Sequence, residues 1–426
     1  MIDRNVLLSD FDETVRRYAR RDVPLETVAE ARDAAVARRQ LIRKVEDLRA
    51  DLRRRSEEIG AAMKAGRRDE AERAKAAQAE LKAQLAQGEE DLRAAEERET
   101  YLLLRIPNLP SDDTPDGLTE DKNVVLRTHG WDERYAAGGW RPHWEVAAGL
   151  GVWDQERASK ISGAMFAVLR GDGARLLRAL VSFGLDLNRE RYTEVLAPHF
   201  VKTDTFVGTG HLPKFEAEAY RLRDDDLWAI PTGEVPLMGL HRDEIIPEEE
   251  MPRRYMTYTV CFRREAGSAG KDTRGMQRLH EFHKVELLKL CAPETVAAEY
   301  EGLLADAERP LQLLGLPYRV VDLCCGDLTF SSARVLDLEV YCPGVARWLE
   351  VSSVGMFTDF QTRRGNIRFR RSGHKPELAH ALNGSGLATP RMWAAIIEHG
   401  QQADGSVKVP EPLVPYMGGK TVLTPG

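Results

Sequence analysis

The densest run of chemically capable side chains lies between Cys261 and Glu286. Arg263 and Glu265 stand two apart, and Arg278, His280, Phe282, Lys284 and Glu286 follow one another at steps of two. Alternate residues of a strand share a face, so the pattern predicts two strands joined by a Gly/Ser-rich turn, each strand presenting its set to one side. Arginines hold phosphates through several planar donors, Phe282 offers a ring face to a base, and Glu286 can accept a hydrogen bond from a small ligand. The chemistry implied is a polyanion clamp with an acid beside it. Alternating charge is also the pattern of a solvated hairpin face, and spacing alone leaves both readings open.

Two further segments carry smaller signals. In Asn383-Gly384-Ser385-Gly386-Leu387-Ala388-Thr389-Pro390-Arg391 a Gly-rich turn precedes an arginine at the opening of a helix, which brings backbone N–H groups, a helix N-terminus and a guanidinium towards one anion. Thr232-Gly233-Glu234 by itself reads as a surface turn, and only the company of the other segments lifts it above that. His280 and His283 flank the clamp and read as packing or hydrogen-bonding residues rather than bases. No GxGxxG or Walker sequence follows a predicted strand, which argues against a Rossmann or P-loop nucleotide site.

The elements that must position these groups form an α+β body. Short β-like runs at 228–230, 255–262, 282–288, 318–323, 336–341 and 348–351 mix with helical stretches at 175–187 and 296–314, predicting a mostly antiparallel sheet flanked by helices. Residues 27–100 differ sharply: they contain no proline, and Leu41, Val45, Leu48, Leu52 and Ile59 repeat at coiled-coil spacing. Ala74, Leu81, Leu85 and Leu92 continue a weaker seam, with Gly66 between the two halves to reverse the chain. The prediction is an antiparallel hairpin of helices of about 30–35 residues, roughly 50 Å long and projecting from the body. Twelve Lys/Arg face six Asp/Glu from Arg32 to Arg68, against five and ten from Asp69 to Glu99. That is either a solvated coiled coil with cross-helix ion pairs or a basic rail for a phosphate backbone. Pro107, Pro110, Pro115 and Gly117 predict a linker over 106–121, between an N-terminal domain (1–105) and a catalytic domain (122–426).

A chain of 426 residues exceeds one hydrophobic core; its net charge of −7 excludes a generally basic nucleic-acid coat and nowhere do 18 apolar residues run together, so neither DNA nor a membrane is an expected partner. The five cysteines show neither CxxC nor Cys/His metal spacing, and the N-terminus is charged without a signal-like apolar core. Reduced thiols in a cytoplasmic protein are expected.

The 261–286 stretch resembles motif 2 of class II aminoacyl-tRNA synthetases in the version found in seryl-tRNA synthetases. Pro198 with 208–215 resembles the motif 1 region, Thr232-Gly233-Glu234 the Thr-x-Glu element, Glu350-Val351-Ser352-Ser353 the Glu-x-Ser-Ser strand, and 383–391 motif 3, while the hairpin is similar to the family's tRNA-binding arm. The resemblance implies an antiparallel-sheet class II catalytic domain behind a long N-terminal helical hairpin. It implies a homodimer that uses ATP and Mg²⁺ to join L-serine to serine tRNA through a seryl-adenylate, with selenocysteine tRNA as a further acceptor.

Residue by residue, the resemblance assigns Arg263 to the serine carboxylate and the α-phosphate, Arg278 and Arg391 to the γ-phosphate, and Phe282 and Glu265 to adenine. Glu350 and Ser353 are assigned to Mg²⁺, with Glu350, Arg263 and Arg391 as the catalytic set and Arg264, Val351 and Ser352 completing the ATP site. Thr232, Gly233, Glu234, Glu286 and Ser385, with Arg263, are assigned to serine. Arg38, Arg39, Arg43, Arg53, Arg54, Arg67 and Arg68 are the arm residues expected against tRNA. The chain departs from the family's usual run at Val354-Gly355-Met356, Arg264 and Arg334. The alternative is a paralogue that activates serine or a close analogue for a non-tRNA acceptor, and the basic arm argues against it.

Overall fold

The computed structural model describes residues 1–267 and 273–425, so the centre of the expected Gly/Ser turn lies outside the described residues. The chain divides into two compact units, one running from Ile2 to Pro107 and the other comprising Met1 and the chain from Asn108 onward.

The first unit opens with the short helices α1 (Arg4–Ser9) and α2 (Phe11–Ala19), started by the Asp3 and Asp10 carboxylates that accept the N–H groups of Asn5 and Glu13. It continues into α3 (Leu25–Lys64) and α4 (Arg68–Leu103), of 40 and 36 residues, longer than the sequence pattern suggested and roughly 60 and 54 Å in length. Gly66, at φ +73°, takes the left-handed conformation that turns α3 back into α4. Arg38 pairs with Glu96 at 3.1 Å and Arg49 with Glu89 at 2.7 Å, so partner numbers fall in one helix as they rise in the other. At the buried Gly88 the helices come close: a Cβ there would stand 3.4 Å from Val45 Cγ2.

The second unit is built on an eight-stranded sheet: β1 (Val124–His129), β2 (Thr193–Glu194), β3 (Arg253–Phe262), β4 (Glu281–Cys291), β5 (Tyr318–Asp322), β6 (Arg334–Cys342), β7 (Arg347–Thr358) and β8 (His380–Ala388). Their spatial order is β1-β5-β6-β7-β8-β4-β3-β2, antiparallel throughout except for the β2/β3 edge. Helices α6 (Asp172–Asn188), α8 (Val296–Leu313) and α10 (Thr389–Gly400) send Leu180, Leu303, Trp393 and Ile397 into one core with Val285, Leu287, Leu338 and Val354 of the sheet. Shorter helices include α5 (His143–Gly149), α7 (Glu234–Gly239) and α9 (Phe360–Gly365). The run expected as a strand at 228–230 is only a two-residue strand, Trp228–Ala229, paired outside the main sheet with Phe200–Val201.

The proline-rich segment after Pro107 is tied into the second unit. The Asn108 amide donates to the carbonyls of Ser331 and Phe357 at 3.0 and 2.9 Å, and the Thr114 hydroxyl donates to Ala333 O at 2.9 Å. No helix among the described residues is long and apolar enough to cross a membrane.

Candidate active site

One cavity of ≈ 620 Å³ opens on the sheet face opposite the helical core, and it gathers most of the residues singled out in the sequence. Strict alternation along β4 aims Phe282, Lys284 and Glu286 into it while Val285 and Leu287 enter the core. Neighbouring β7 and β8 break alternation at β-bulges, between Glu350 and Ser352 and between Ser385 and Leu387. A regular strand would send Glu350 and Ser353 to opposite faces; the extra residue brings both to the cavity. Asn383 and Ser385 reach it from β8, and Arg391 from the first turn of α10.

Arg263 and Glu265 are not strand residues: β3 ends at Phe262, and Glu265 sits at φ +52° in the turn beyond. Arg278 and His280 precede β4 in the same way. Arg263, Glu265 and Arg278 therefore meet from chain beyond the strand ends, not through the alternation of a strand. Arg263, Glu265 and Arg278 line the cavity, whereas His280 packs its ring near Phe166 and Tyr220. Of the residues expected at the site, Arg264, Gly233 and Ser352 do not line it. Arg264 is exposed and engages Glu218 O through its backbone N–H, and the buried Ser352 hydroxyl donates to Ser385 O at 2.9 Å, tying β7 to β8. Gly233 supports the site by lacking a side chain, since a Cβ there would stand 2.7 Å from Thr257 Cγ2 and 3.0 Å from Glu286 Cβ.

The guanidinium groups are already held by partners. Arg278 donates to Glu265 at 2.6 Å, Arg263 lies over the Phe282 ring at 5.0 Å, and Arg391 donates from Nη1 to Glu350 O at 2.5 Å and from Nε to Gln277 O at 3.1 Å. At the other end the Thr232 hydroxyl donates to Glu286 at 2.7 Å and accepts from Lys284 at 2.8 Å, while Lys284 also pairs directly with Glu286. Glu234 meets the Gln361 amide, and burial above all pushes its carboxyl up to about 7; the Gln361 bond opposes the shift and the Glu286 charge adds to it. His211 is pushed down to about 3, first by burial and then by the charges of Arg263 and Lys284, so it is neutral here.

Lys284, Gln361, Asn383 and Gln277 line the site without having been given roles from the sequence. Lys284 had a signal in its strand spacing. Asn383 stood in the Gly-rich run 383–391, while Gln361 and Gln277 had none, because their partners are distant in the chain. Asp337, opposite Ser353 on β6, was also missed; burial and then the neighbouring Glu350 charge raise its carboxyl well above the usual carboxylate range, against a hydrogen bond from Ser353. Among the described residues no group of three or more His, Cys, Asp or Glu side chains is arranged to hold a metal alone. The unusual residues fall into place: Val354 is buried in the core, Gly355 lines the cavity, and Arg334 pairs with Asp322 at 2.7 Å.

On the hairpin, Arg38 is half-buried as a cross-helix strut to Glu96 and Glu99, and Arg54 and Arg67 pair with carboxylates three residues away. Arg39, Arg43, Arg53 and Arg68 are exposed.

Residues 1–110 match the family model described as the seryl-tRNA synthetase N-terminal domain, and residues 214–400 match the tRNA synthetase class II core domain (G, H, P, S and T). The serine–tRNA ligase of Bacillus cereus (strain G9842) is 52% identical over 336 residues, 78% of this chain and 79% of the relative. That of Bacillus thuringiensis (strain Al Hakam) is 52% identical over 325 residues, 76% of each chain. The crystal structure of the seryl-tRNA synthetase from Pyrococcus horikoshii complexed with ATP superposes with a TM-score of 0.93 at 33% identity, covering 100% of both chains. The cytoplasmic serine–tRNA ligase from Naegleria fowleri in complex with AMP gives 0.87 at 27% identity, covering 100% of this chain and 99% of the other.

Proposed function

The chain belongs to the seryl-tRNA synthetase family of class II enzymes, and from that premise we propose that it activates L-serine with ATP and transfers the seryl group to serine tRNA. The observation that carries the reading is the convergence of Arg263, Arg278 and Arg391 on one cavity that also holds Glu286, Glu234 and Glu350. In the first step a serine carboxylate oxygen forms a bond to the α-phosphorus while the bond to the bridging oxygen breaks and pyrophosphate leaves. In the second, the terminal adenosine hydroxyl of tRNA attacks the seryl carbonyl and AMP leaves.

Two anions must approach, so alignment and charge compensation are the main demands on the protein. Arg263, between the Phe282 ring and the Thr232 end of the cavity, is suited to bridge carboxylate and α-phosphate. Arg278 exchanges its Glu265 partner for phosphate oxygens, and Arg391 supplies the second guanidinium from a helix N-terminus. Phe282 stacks on adenine, with Glu265 released towards its amino edge. Glu234, Glu286 and the Thr232 hydroxyl take the ammonium and hydroxyl of serine, with Ser385 beside them.

Glu350 and Ser353 present hard oxygen donors on one wall, with the buried Asp337 carboxyl behind Ser353, and this set fits Mg²⁺, which takes one or two carboxylates together with phosphate oxygens. Bound there, the ion neutralises phosphate charge. The exposed arginines of α3 and the start of α4 are proposed to meet the tRNA backbone, and a second copy is proposed against the apolar surface around Pro198, where Leu196 is 91% and Phe200 46% exposed. Five free, buried cysteines support a reducing, cytoplasmic setting.

The experiment is pyrophosphate exchange with serine, threonine, alanine and cysteine, followed by charging of serine tRNA, with selenocysteine tRNA, which the family implies, in the same assay. Serine alone should drive rapid exchange and transfer. Exchange without transfer would favour a non-tRNA acceptor, and no serine-dependent exchange would end the reading.

A further inference from the structure

Behind the triphosphate end of the cavity lies a buried pair that does not line it. His143, at the start of α5, and Glu398, near the end of α10, are both fully shielded from solvent. The His143 ring faces Glu398 Oε1 through Nδ1 at 2.7 Å, and its backbone N–H donates to the same oxygen at 3.0 Å. Glu398 Oε2 accepts the Gly344 N–H at 2.7 Å, in the turn that leads into β7 and Glu350. On the other side of the ring, Nε2 accepts the Met276 N–H at 2.9 Å. Since Nε2 faces a donor, the ring proton belongs on Nδ1, and both nitrogens are used.

The segment held in this way is the approach to Arg278. Gly275, at φ +64°, brings its backbone so close that a Cβ would lie 2.2 Å from His143 Nε2 and 2.8 Å from Trp144 Cε3, and Arg274 lies over the Trp144 ring at 4.8 Å. The residue after Met276 completes the linkage, because the Gln277 carbonyl accepts the Arg391 Nε–H at 3.1 Å. Arg391 and Glu398 are seven residues apart on α10, two turns along the same side.

We propose that His143 is a positioning residue for the ATP site: through Glu398 and the Met276 amide it fixes Arg278 and Arg391 relative to one another, so that the two guanidinium groups meet one triphosphate. The inference rests on the function proposed above. A ligand that reaches the β- and γ-phosphate subsites depends on this spacing; one that ends at the α-phosphate does not.

The test compares His143→Phe, whose ring neither donates to Glu398 nor accepts from Met276 while the backbone N–H bond to Glu398 remains, with His143→Gln, whose amide carbonyl can accept the Met276 N–H. Affinities are measured for ATP and for a seryl-adenylate analogue with a sulfamate in place of the phosphate. Unmodified protein is run first: if it binds neither ligand and shows no serine-dependent exchange, the functional reading fails, not the positioning role. With that reading intact, His143→Phe should weaken ATP about tenfold or more, the scale of one charge-assisted hydrogen bond, while the analogue stays within about twofold and His143→Gln recovers most of the loss. Equal loss of both ligands, no loss of ATP affinity, or a His143→Gln protein no better than His143→Phe would overturn the proposal. Should His143→Phe fail to fold, His143→Gln and Gly275→Ala carry the same comparison: Gly275→Ala, which pushes the ring from Met276, must weaken ATP selectively and His143→Gln must not.

Discussion

Thr232 and Glu286, separated by 54 residues, are joined by a 2.7 Å hydrogen bond in which the threonine hydroxyl donates to a carboxylate only 1% exposed. The same hydroxyl accepts from Lys284 at 2.8 Å, so one small side chain orders both members of a buried ion pair. Thr232→Val keeps the shape and removes the hydroxyl. The buried Glu286 carboxylate keeps its Lys284 partner but loses a hydrogen bond, which at a charged group costs about 1.5–3 kcal/mol, so kcat/KM for serine in pyrophosphate exchange should fall roughly 10- to 100-fold, with a smaller loss for alanine, which has no hydroxyl to place. A proportional loss for both would show that Thr232 does not shape selection.

The serine-binding role proposed for Glu234 makes recognition depend on pH. Its carboxyl titrates near 7 in the folded protein against 4.5 as its ordinary value, because burial disfavours the charge. For an acid raised in this way, the folded state holds a proton that the unfolded chain has released, so its contribution to stability falls as pH rises from about 4.5 to about 7 and is level above. The serine ammonium prefers the carboxylate. Serine KM should therefore fall as pH climbs from 6 to 8, by up to about tenfold per pH unit below the pKa, and Glu234→Gln should flatten the profile. An unchanged profile in that variant assigns the dependence elsewhere.

Replacing Arg39, Arg43, Arg53 and Arg68 together by Gln should leave pyrophosphate exchange unaltered while raising KM for tRNA. The salt dependence of charging should weaken by about one unit of log–log slope for each phosphate that the variant no longer neutralises. Arg38→Gln differs, because that side chain braces Glu96 and Glu99: the melting temperature of the hairpin should drop while the salt slope stays put. Loss of exchange in the fourfold variant would contradict a division of labour between hairpin and sheet.

Glu350, proposed as a Mg²⁺ ligand, is engaged by Arg391 through both its carbonyl and its carboxylate, and its side chain is 47% exposed. Chelation of divalent cations should abolish exchange, and added Mg²⁺ should restore it. Glu350→Gln should raise the Mg²⁺ concentration for half-maximal rate by about tenfold or more, consistent with removal of one of few protein ligands. Rates insensitive to chelator would exclude the ion from the site.

The strands around the cavity and the hairpin were legible because each follows a local period. Phe282, Lys284 and Glu286 alternate as a strand requires, and Leu41, Val45, Leu48 and Leu52 mark a helical seam; neither pattern depends on anything far along the chain. Motif residues such as Arg263, Arg278 and Arg391 could be named from their company, but not the means by which they converge. Arg263 and Arg278 lie beyond the ends of their strands, and two β-bulges, which no residue type announces, turn Glu350 with Ser353 and Ser385 with Ala388 towards one side. The kinds of element present, and the residue types that bind and align, follow from the sequence. The Thr232–Glu286 bond, the raised Glu234 carboxyl and the His143–Glu398 pair arise only when distant segments pack and exclude water, because burial and pairing energies depend on neighbours that the order of residues does not name.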